Sequence, residues 1–522
     1  MVDLTADYII VGGGLTGCVI ASRISQSSVK PKVILLEAGS DPSGNAAAAG
    51  FLSGLSLLGG EFDYAYQSDP VTSTSNRVHS LNSGKALGGG TVINYGGWLR
   101  ADFADYDEWA EVVGDERWSY EGLKPYFNGP MYVTSISAAE SGARKYPLRE
   151  QVKQAWAELG IQPNLQKKDG KITGLTEMYE NSRDGMRQPS NMVYPLDDLE
   201  VFTNTIVHRV TFADTTATGV ELDDGRKITA KKEVIICAGA YRTPQVLMLS
   251  GIGPAPILNE HSIPIVHESP HVGQNLHDHF AIYLAFRLRD PSLGYALGSA
   301  AWQDAALLKG LPWDWVVSAP LPAQISEKHG IEPKEQKRNL WEVITVYVPP
   351  GIPGIPIDGT HLATSTMLIL PSSRGNVSIR SSRPSDPPRI QPNHFSTSLD
   401  CDTLVHATRQ ALKLMLETSS LGTVVESESP PSGDGLDGLT VLTADASNEV
   451  IEERIRRTGM QHFNSGGTAA IGKVVDTEGR VIGVKRLRCA DANILPTPLG
   501  GHPQATLYPM AEQLASIILG DI

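Results

Sequence analysis

The sequence predicts an α/β, Rossmann-like nucleotide-binding domain joined to an α+β domain built on an antiparallel sheet, and three observations carry that reading. Two short, continuous apolar runs flank a glycine-rich turn near the start of the chain. Runs of the same kind return after residue 200. Residues 286–370 then change character, to Trp, Pro and Leu with alternating stretches and long loops.

Each element follows from its residues. The runs at 7–11 (DYIIV) and 33–37 (VILLE) are apolar and β-branched, as strands buried on both faces must be. Leu15 to Ile24 between them is helix-like, with small residues on one side, which completes a β-α-β unit of near-minimal length. Later, Val201–Thr211 and Val234–Ala238 flank an alternating segment that ends at the turn Asp223-Asp224-Gly225. In the middle region, WEVITVYV (341–348) alternates and PPGIPGIPIDG (349–359) breaks the chain, which predicts sheet strands and loops. A helix pattern from Ala505 to Leu519 closes the sequence.

The whole-chain properties exclude several classes. A chain of 522 residues with 41% hydrophobic and 20% charged residues has globular composition and room for two domains. A net charge of −14 argues against nucleic acid as a partner. No apolar run reaches 18 residues, so no membrane partner is expected. The first residues lack a basic region and a cleavage site, which points to an intracellular, cytoplasmic location. Cys18, Cys237, Cys401 and Cys489 form no CxxC pair and read as free thiols, mostly buried.

Gly12, Gly14 and Gly17 spell GxGxxG directly between the first strand and the helix, and Glu37 ends the second strand. Gly12 permits the tight turn, Gly14 lets a pyrophosphate approach the backbone, and Gly17 lets helix and strand pack closely. The helix start around Leu15 and Thr16 offers unpaired N–H groups to phosphates. The Glu37 carboxylate suits the hydroxyls of an unphosphorylated adenosine ribose. FAD and NAD both fit this fingerprint.

The rest of the chain chooses between them. Gly84-Lys85-Ala86-Leu87-Gly88-Gly89-Gly90-Thr91-Val92-Ile93-Asn94 resembles the GKALGGSSxIN signature of the glucose–methanol–choline (GMC) oxidoreductases. Arg100 and Asp105-Tyr106-Asp107-Glu108-Trp109 are similar to the family's next conserved stretch, an Arg and then ADYDxWA. The segments 238–245, 249–254 and 273–279, then Ser373-Arg374-Gly375, Asp386-Pro387-Pro388 and Gly501-His502-Pro503-Gln504-Ala505, continue the resemblance in order along the whole chain. The resemblance implies FAD, with Ala38 beside Glu37, Val207 at the adenine, Asp491 and Ala492 near the pyrophosphate and ribityl chain, and Pro503 and Gln504 beside His502. It places Gly89, Gly90, Asn94, Tyr95, Gly96 and Gly97 along the flavin, where a stretch without side chains lets a flat ring lie against the backbone. The domain organisation it implies is an FAD-binding domain in three parts (1–155, 198–285 and 455–522) and a substrate domain in two (156–197 and 286–454).

Two polar residues face the flavin in this family, usually a His and then a His or Asn about forty residues on. His502 matches the second position. Counting back from Gly467-Thr468 puts Asn464 where the family has its first His, with His462 two residues earlier. Alcohol oxidation needs a base at the substrate hydroxyl while a hydride leaves the carbon for flavin N5. A histidine, with an ordinary pKa near ~6.5, suits that task. An amide can orient but cannot take a proton. The expected catalytic pair is therefore His502 as base and Asn464 as hydrogen-bonding partner, with His462 outside it. His277-Asp278-His279 looks metal-like but lies in a family motif of structural role, so no metal is expected.

The expected function is FAD-dependent oxidation of a CH–OH donor, with oxygen or another electron acceptor reoxidising the flavin. Two alternatives share the resemblance: a non-redox, FAD-containing lyase of the hydroxynitrile lyase branch, and a biosynthetic homologue with altered chemistry. Trp302, Trp313, Trp315 and Trp341 suit a bulky or aromatic small-molecule substrate, and equally suit a core.

Overall fold

The computed structural model describes residues 4–129, 131–141, 144–164, 170–300, 302–332 and 338–520. Two seven-stranded sheets organise them. In the first, Leu4–Val11 lies at the centre, parallel to Val33–Leu36 on one side and to Lys227–Ile236 on the other. Glu200–Phe202 adds a parallel edge beside Val33–Leu36, and Leu487–Cys489 runs parallel to the end of Lys227–Ile236. Every residue of Val33–Leu36 is buried, as the unbroken apolar run requires. Helix Leu15–Ser25 makes the crossover, and the closing helix, Gln504–Gly520, packs against it. Arg23 and Glu512 pair across these two helices at 2.6 Å.

The run expected as one strand from Val201 to Thr211 is two, Glu200–Phe202 and Val207–Ala213. The chain turns between them at Asn204, whose φ is +51°. There the Asn204 N–H donates to Gly39 O and the Thr205 N–H to Glu37 O, so the loop is tied to the end of the second strand. From Val207 the chain forms an antiparallel meander through Thr216–Leu222 into Lys227–Ile236, turning at Gly225.

The second sheet is antiparallel throughout. Its strands run in the order Val425–Ser429, Phe280–Leu288, His361–Leu368, Trp341–Val346, Trp313–Ala319 and Gly174–Glu177, with Met460–Gln461 beside Phe280–Leu288. Strand Phe280–Leu288 runs through the boundary expected between 285 and 286, because its first half is as apolar as its second. Side chains alternate between the faces with period two. Trp341 and Val343 join the core under helix Ser398–Leu416. Ile344 and Val346 turn to the opposite face, with Ala281, Val316 and Met367. Glu342 shares their parity and is fully buried. Register sets Tyr283 opposite Ser365 and Ser365 opposite Ile344, while Met367 and Ser318 flank Glu342. This face looks toward the first sheet and forms one wall of the site.

Trp302, Trp315 and Trp341 are core residues of the second domain. No helix among the described residues is long and apolar enough to cross a membrane.

Candidate active site

A single elongated cavity runs from Glu37 and Val207, at the ends of first-sheet strands, to His502 and Asn464, below the second sheet. Gly12, Gly14, Leu15, Thr16, Ala38, Asp491, Ala492, Pro503 and Gln504 line it, as do Gly89, Gly90, Asn94, Tyr95, Gly96 and Gly97. Gly17 does not reach it. A Cβ there would strike the carbonyl oxygen of Gly12, so Gly17 serves the packing of helix on strand. Gly12 has φ +102°, and a Cβ on it would meet the Cys237 carbonyl.

No side chain caps the start of helix Leu15–Ser25 at Gly14, so its first N–H groups are left for an anion. Beyond it, the Glu37 carboxylate accepts from Gly13 N–H at 2.8 Å and from Gly39 N–H at 2.7 Å. Burial pushes its pKa up to about 7. Glu37 thus holds the glycine turn in place and keeps lone pairs for further donors.

The glycine stretch at 89–97 is fastened by polar side chains. Gln504 donates to Gly97 O at 2.5 Å and accepts from Asn94 Nδ2 at 3.2 Å. The Asn94 side chain in turn accepts from Gly96 N–H at 3.0 Å. Arg187, which sequence reasoning missed, donates to the carbonyls of Gly50, Ala48 and Val92 at 2.9–3.0 Å and also to that of Asn94. Its guanidinium is buried, so it fixes two loops at once rather than facing solvent. Asp491 accepts from the backbone N–H groups of Gly239 and Asn493, a bracing role.

FAD fits this channel by the form of its walls. Among the described residues nothing lies within 4 Å of where a Gly90 side chain would begin, and the Gly14 position is nearly as open. A Cβ on Gly89 would instead press on the backbone of Gly14. The channel is therefore bare backbone where a flat or charged group must come close. It has an uncapped helix start for the pyrophosphate and a carboxylate beyond it for the ribose.

At the other end, His502 Nε2 lies 2.9 Å from Glu342 Oε1. Glu342 Oε2 accepts from Ser318 Oγ at 3.3 Å. A carboxylate can only accept, so Nε2 carries a proton, and in the neutral ring the lone pair is on Nδ1. Nδ1 sits against Gly97, itself a lining residue of the cavity, where a Cβ would come within 2.9 Å of it. Sequence reasoning missed Glu342. Its signal was a lone carboxylate inside WEVITV, a strand otherwise without charge.

Asn464 is held from behind. Its Nδ2 donates to His279 Nδ1 at 2.9 Å, while His279 Nε2 donates to Leu499 O at 2.8 Å. Burial drives the His279 pKa down to about 4, so it stays neutral. Asp278 accepts from Asn464 N–H at 2.7 Å and from Ser465 Oγ at 2.5 Å. The metal-like trio thus braces the Asn464 loop. Among the described residues no cluster of three or more His, Cys, Asp or Glu is arranged to hold a metal ion.

His462 is not outside the site. It borders the same cavity, with its ring centroid 6.3 Å from that of His502. The intervening Phe463 has φ +62°, so the segment bends at this point rather than running extended. Of the four tryptophans, Trp313 alone lines the cavity, joined by Tyr283, Ile344, Val346, Val348 and Met460.

A nucleotide-binding sheet, an antiparallel sheet over its cofactor channel and a polar end beside the flavin position define a two-domain FAD-dependent oxidoreductase. The GMC oxidoreductase description matches this chain over residues 6–281 and 371–511, and the chain belongs to that family. It is 38% identical to the GMC-type oxidoreductase acuG of Aspergillus aculeatus, over 99% of both chains. It is 29% identical to an oxygen-dependent choline dehydrogenase of Escherichia coli, covering 98% of this chain and 95% of that one. Its fold matches the crystal structure of formate oxidase with a TM-score of 0.88 at 25% identity, over 99% of each chain. The protein is an FAD-dependent enzyme, an oxidase or dehydrogenase.

Proposed function

We propose that this enzyme oxidises a neutral, largely apolar alcohol, with His502 as general base and Asn464 orienting the substrate oxygen. The observation that carries the reading is the His502–Glu342 contact at 2.9 Å. It leaves Nδ1 free to receive the hydroxyl proton and puts a carboxylate beside the imidazolium that results. FAD, when bound, supplies the two-electron acceptor for the hydrogen on the substrate carbon. Asn464, held by His279, presents the rest of its amide to the oxygen losing its proton. Aliphatic and aromatic side chains, Trp313 and Ile344 among them, keep water from the reacting atoms.

The substrate class follows from the same walls. The side chains around the polar end, including Tyr95, Tyr283, Val346, Val348 and Met460, are aromatic or aliphatic and suit an apolar surface. An aryl or alkyl group fits such walls, with oxygen or another electron acceptor completing turnover. The test is anaerobic mixing with a panel of alcohols, following flavin absorbance. Benzyl-type or long-chain primary alcohols should bleach the flavin. His502→Ala should retain FAD yet be reduced about 10²–10⁴-fold more slowly by the best of them. Reduction at the parent's rate would refute the assignment of the base.

A further inference from the structure

The cavity's two histidines are each held by a residue from the same face of the antiparallel sheet, and the two partners are chemically opposite. His502 meets the carboxylate of Glu342. His462 Nδ1 meets the phenol of Tyr283, at 3.2 Å. A phenol O–H donates better than an imidazole N–H, and an imidazole nitrogen accepts better than a phenol oxygen. The proton of this bond therefore belongs to Tyr283, and the single proton of the His462 ring sits on Nε2. Nε2 makes no hydrogen bond among the described residues, and the ring borders the cavity. Burial, with His502 and His279 nearby, also holds the His462 pKa well below the ordinary value, so the ring remains neutral.

We infer that His462 is a third polar group of this site, a neutral hydrogen-bond donor whose Nε2–H holds the substrate's oxygen, fixed in that tautomer by Tyr283. The inference rests on the proposed alcohol oxidation, in which an oxygen atom sits between His502 and Asn464. It deepens that reading by dividing the work between two histidines. With its Nε2 proton on the Glu342 carboxylate, His502 has Nδ1 to take a proton, which makes it the proton acceptor. A phenol partner and burial oppose the charged ring, which makes His462 a donor that does not compete for the proton. Two histidines with chemically opposite partners thus take distinct roles, one accepting a proton and one donating a hydrogen bond. Asn464, where the family has its usual first histidine, leaves room for this arrangement.

The test reads the oxygen directly. Acetophenone, labelled with carbon-13 at the carbonyl, is apolar and is not an alcohol, and its C=O stretch falls when the oxygen accepts a hydrogen bond. Bound to the FAD-loaded enzyme, its stretch in isotope-edited infrared difference spectra should lie below the value in hexane. In His462→Leu it should move back toward the hexane value, and the Kd should rise about 2- to 10-fold, the loss expected for one neutral hydrogen bond. His462→Gln, which restores an N–H donor, should keep most of the lowering, a rescue that a packing role would not produce. Tyr283→Phe should shift the stretch part-way and gives an independent measurement should the leucine variant fold poorly. An unchanged stretch in His462→Leu, or in Tyr283→Phe, would overturn the inference. Failure of acetophenone to enter the parent cavity would instead contradict the apolar-substrate reading, and this inference with it. A lowered stretch that needs His462, in an enzyme whose flavin no alcohol bleaches, would leave the donor in place and remove the alcohol.

Discussion

The two ends of the channel are built from different materials. At the nucleotide end the chain presents backbone: glycines without side chains, an uncapped helix start and a carboxylate that grips two N–H groups. At the substrate end it presents side chains, and each is aimed by another from a distant part of the sequence. His502 answers to Glu342, Asn464 to His279, and His462 to Tyr283. A backbone site is specified locally, because spacing along one β-α-β unit sets its geometry. A side-chain site of this kind is specified only once two sheets have come together. At the first, a side chain on Gly12, Gly17 or Gly89 would strike backbone, and the second tolerates substitution at a cost in rate.

The largest effect should come from a glycine of the fingerprint that has no room for a side chain. In Gly17→Ala the new Cβ would collide with the Gly12 carbonyl, which is backbone and cannot yield cheaply. The protein should lose FAD and melt at lower temperature, as flavin absorbance and a thermal scan will show. An alanine variant that stays fully yellow would break the contrast at its backbone end. Next in size is Glu342→Gln, which should keep FAD and slow flavin reduction about 10- to 100-fold, the range for losing one hydrogen bond to a charged group. Glu37→Ala should have the converse effect, weakening FAD about tenfold while leaving the reduction rate of the loaded enzyme near the parent's. Equilibrium dialysis against FAD measures the first quantity and stopped flow the second. Smallest is Asn464→Ala, at about 2- to 10-fold in rate, since one neutral hydrogen bond is lost. An effect as large as that of His502→Ala would mean that the amide does more than orient.

The same contrast explains what is legible in the sequence. The strands around 7–11 and 33–37, the crossover helix and Glu37 follow from period, glycine spacing and burial, all local properties. The antiparallel sheet is foreseeable from WEVITVYV, but the extent of its strand at Phe280–Leu288 is not, because the apolar run after His279 shows no break at the boundary drawn after residue 285. His462 falls outside the catalytic pair when the motif is counted along the chain. The left-handed turn at Phe463, a conformation that no glycine or asparagine announces there, brings it to the cavity. Glu342 and Arg187 carry little local signal. A carboxylate within a buried strand and an arginine that bonds carbonyls acquire meaning from partners 160 and 93 residues away. Tryptophan is informative only as a set. Three of the four candidates are core, and the fourth faces the cavity because its indole N–H is held by the buried Glu180 at 3.0 Å.

The central claim is that His502 and Glu342 act as one unit across the two domains, and a double-mutant cycle on flavin reduction tests it most directly. The rate with the best alcohol is measured anaerobically for the parent, His502→Ala, Glu342→Gln and the double variant, each loaded with FAD. If the carboxylate works only through the imidazole, Glu342→Gln costs its about 10- to 100-fold in the parent and almost nothing once His502 is gone. If the two losses multiply, the carboxylate acts independently of His502, and the assignment of the pair as a single base is wrong.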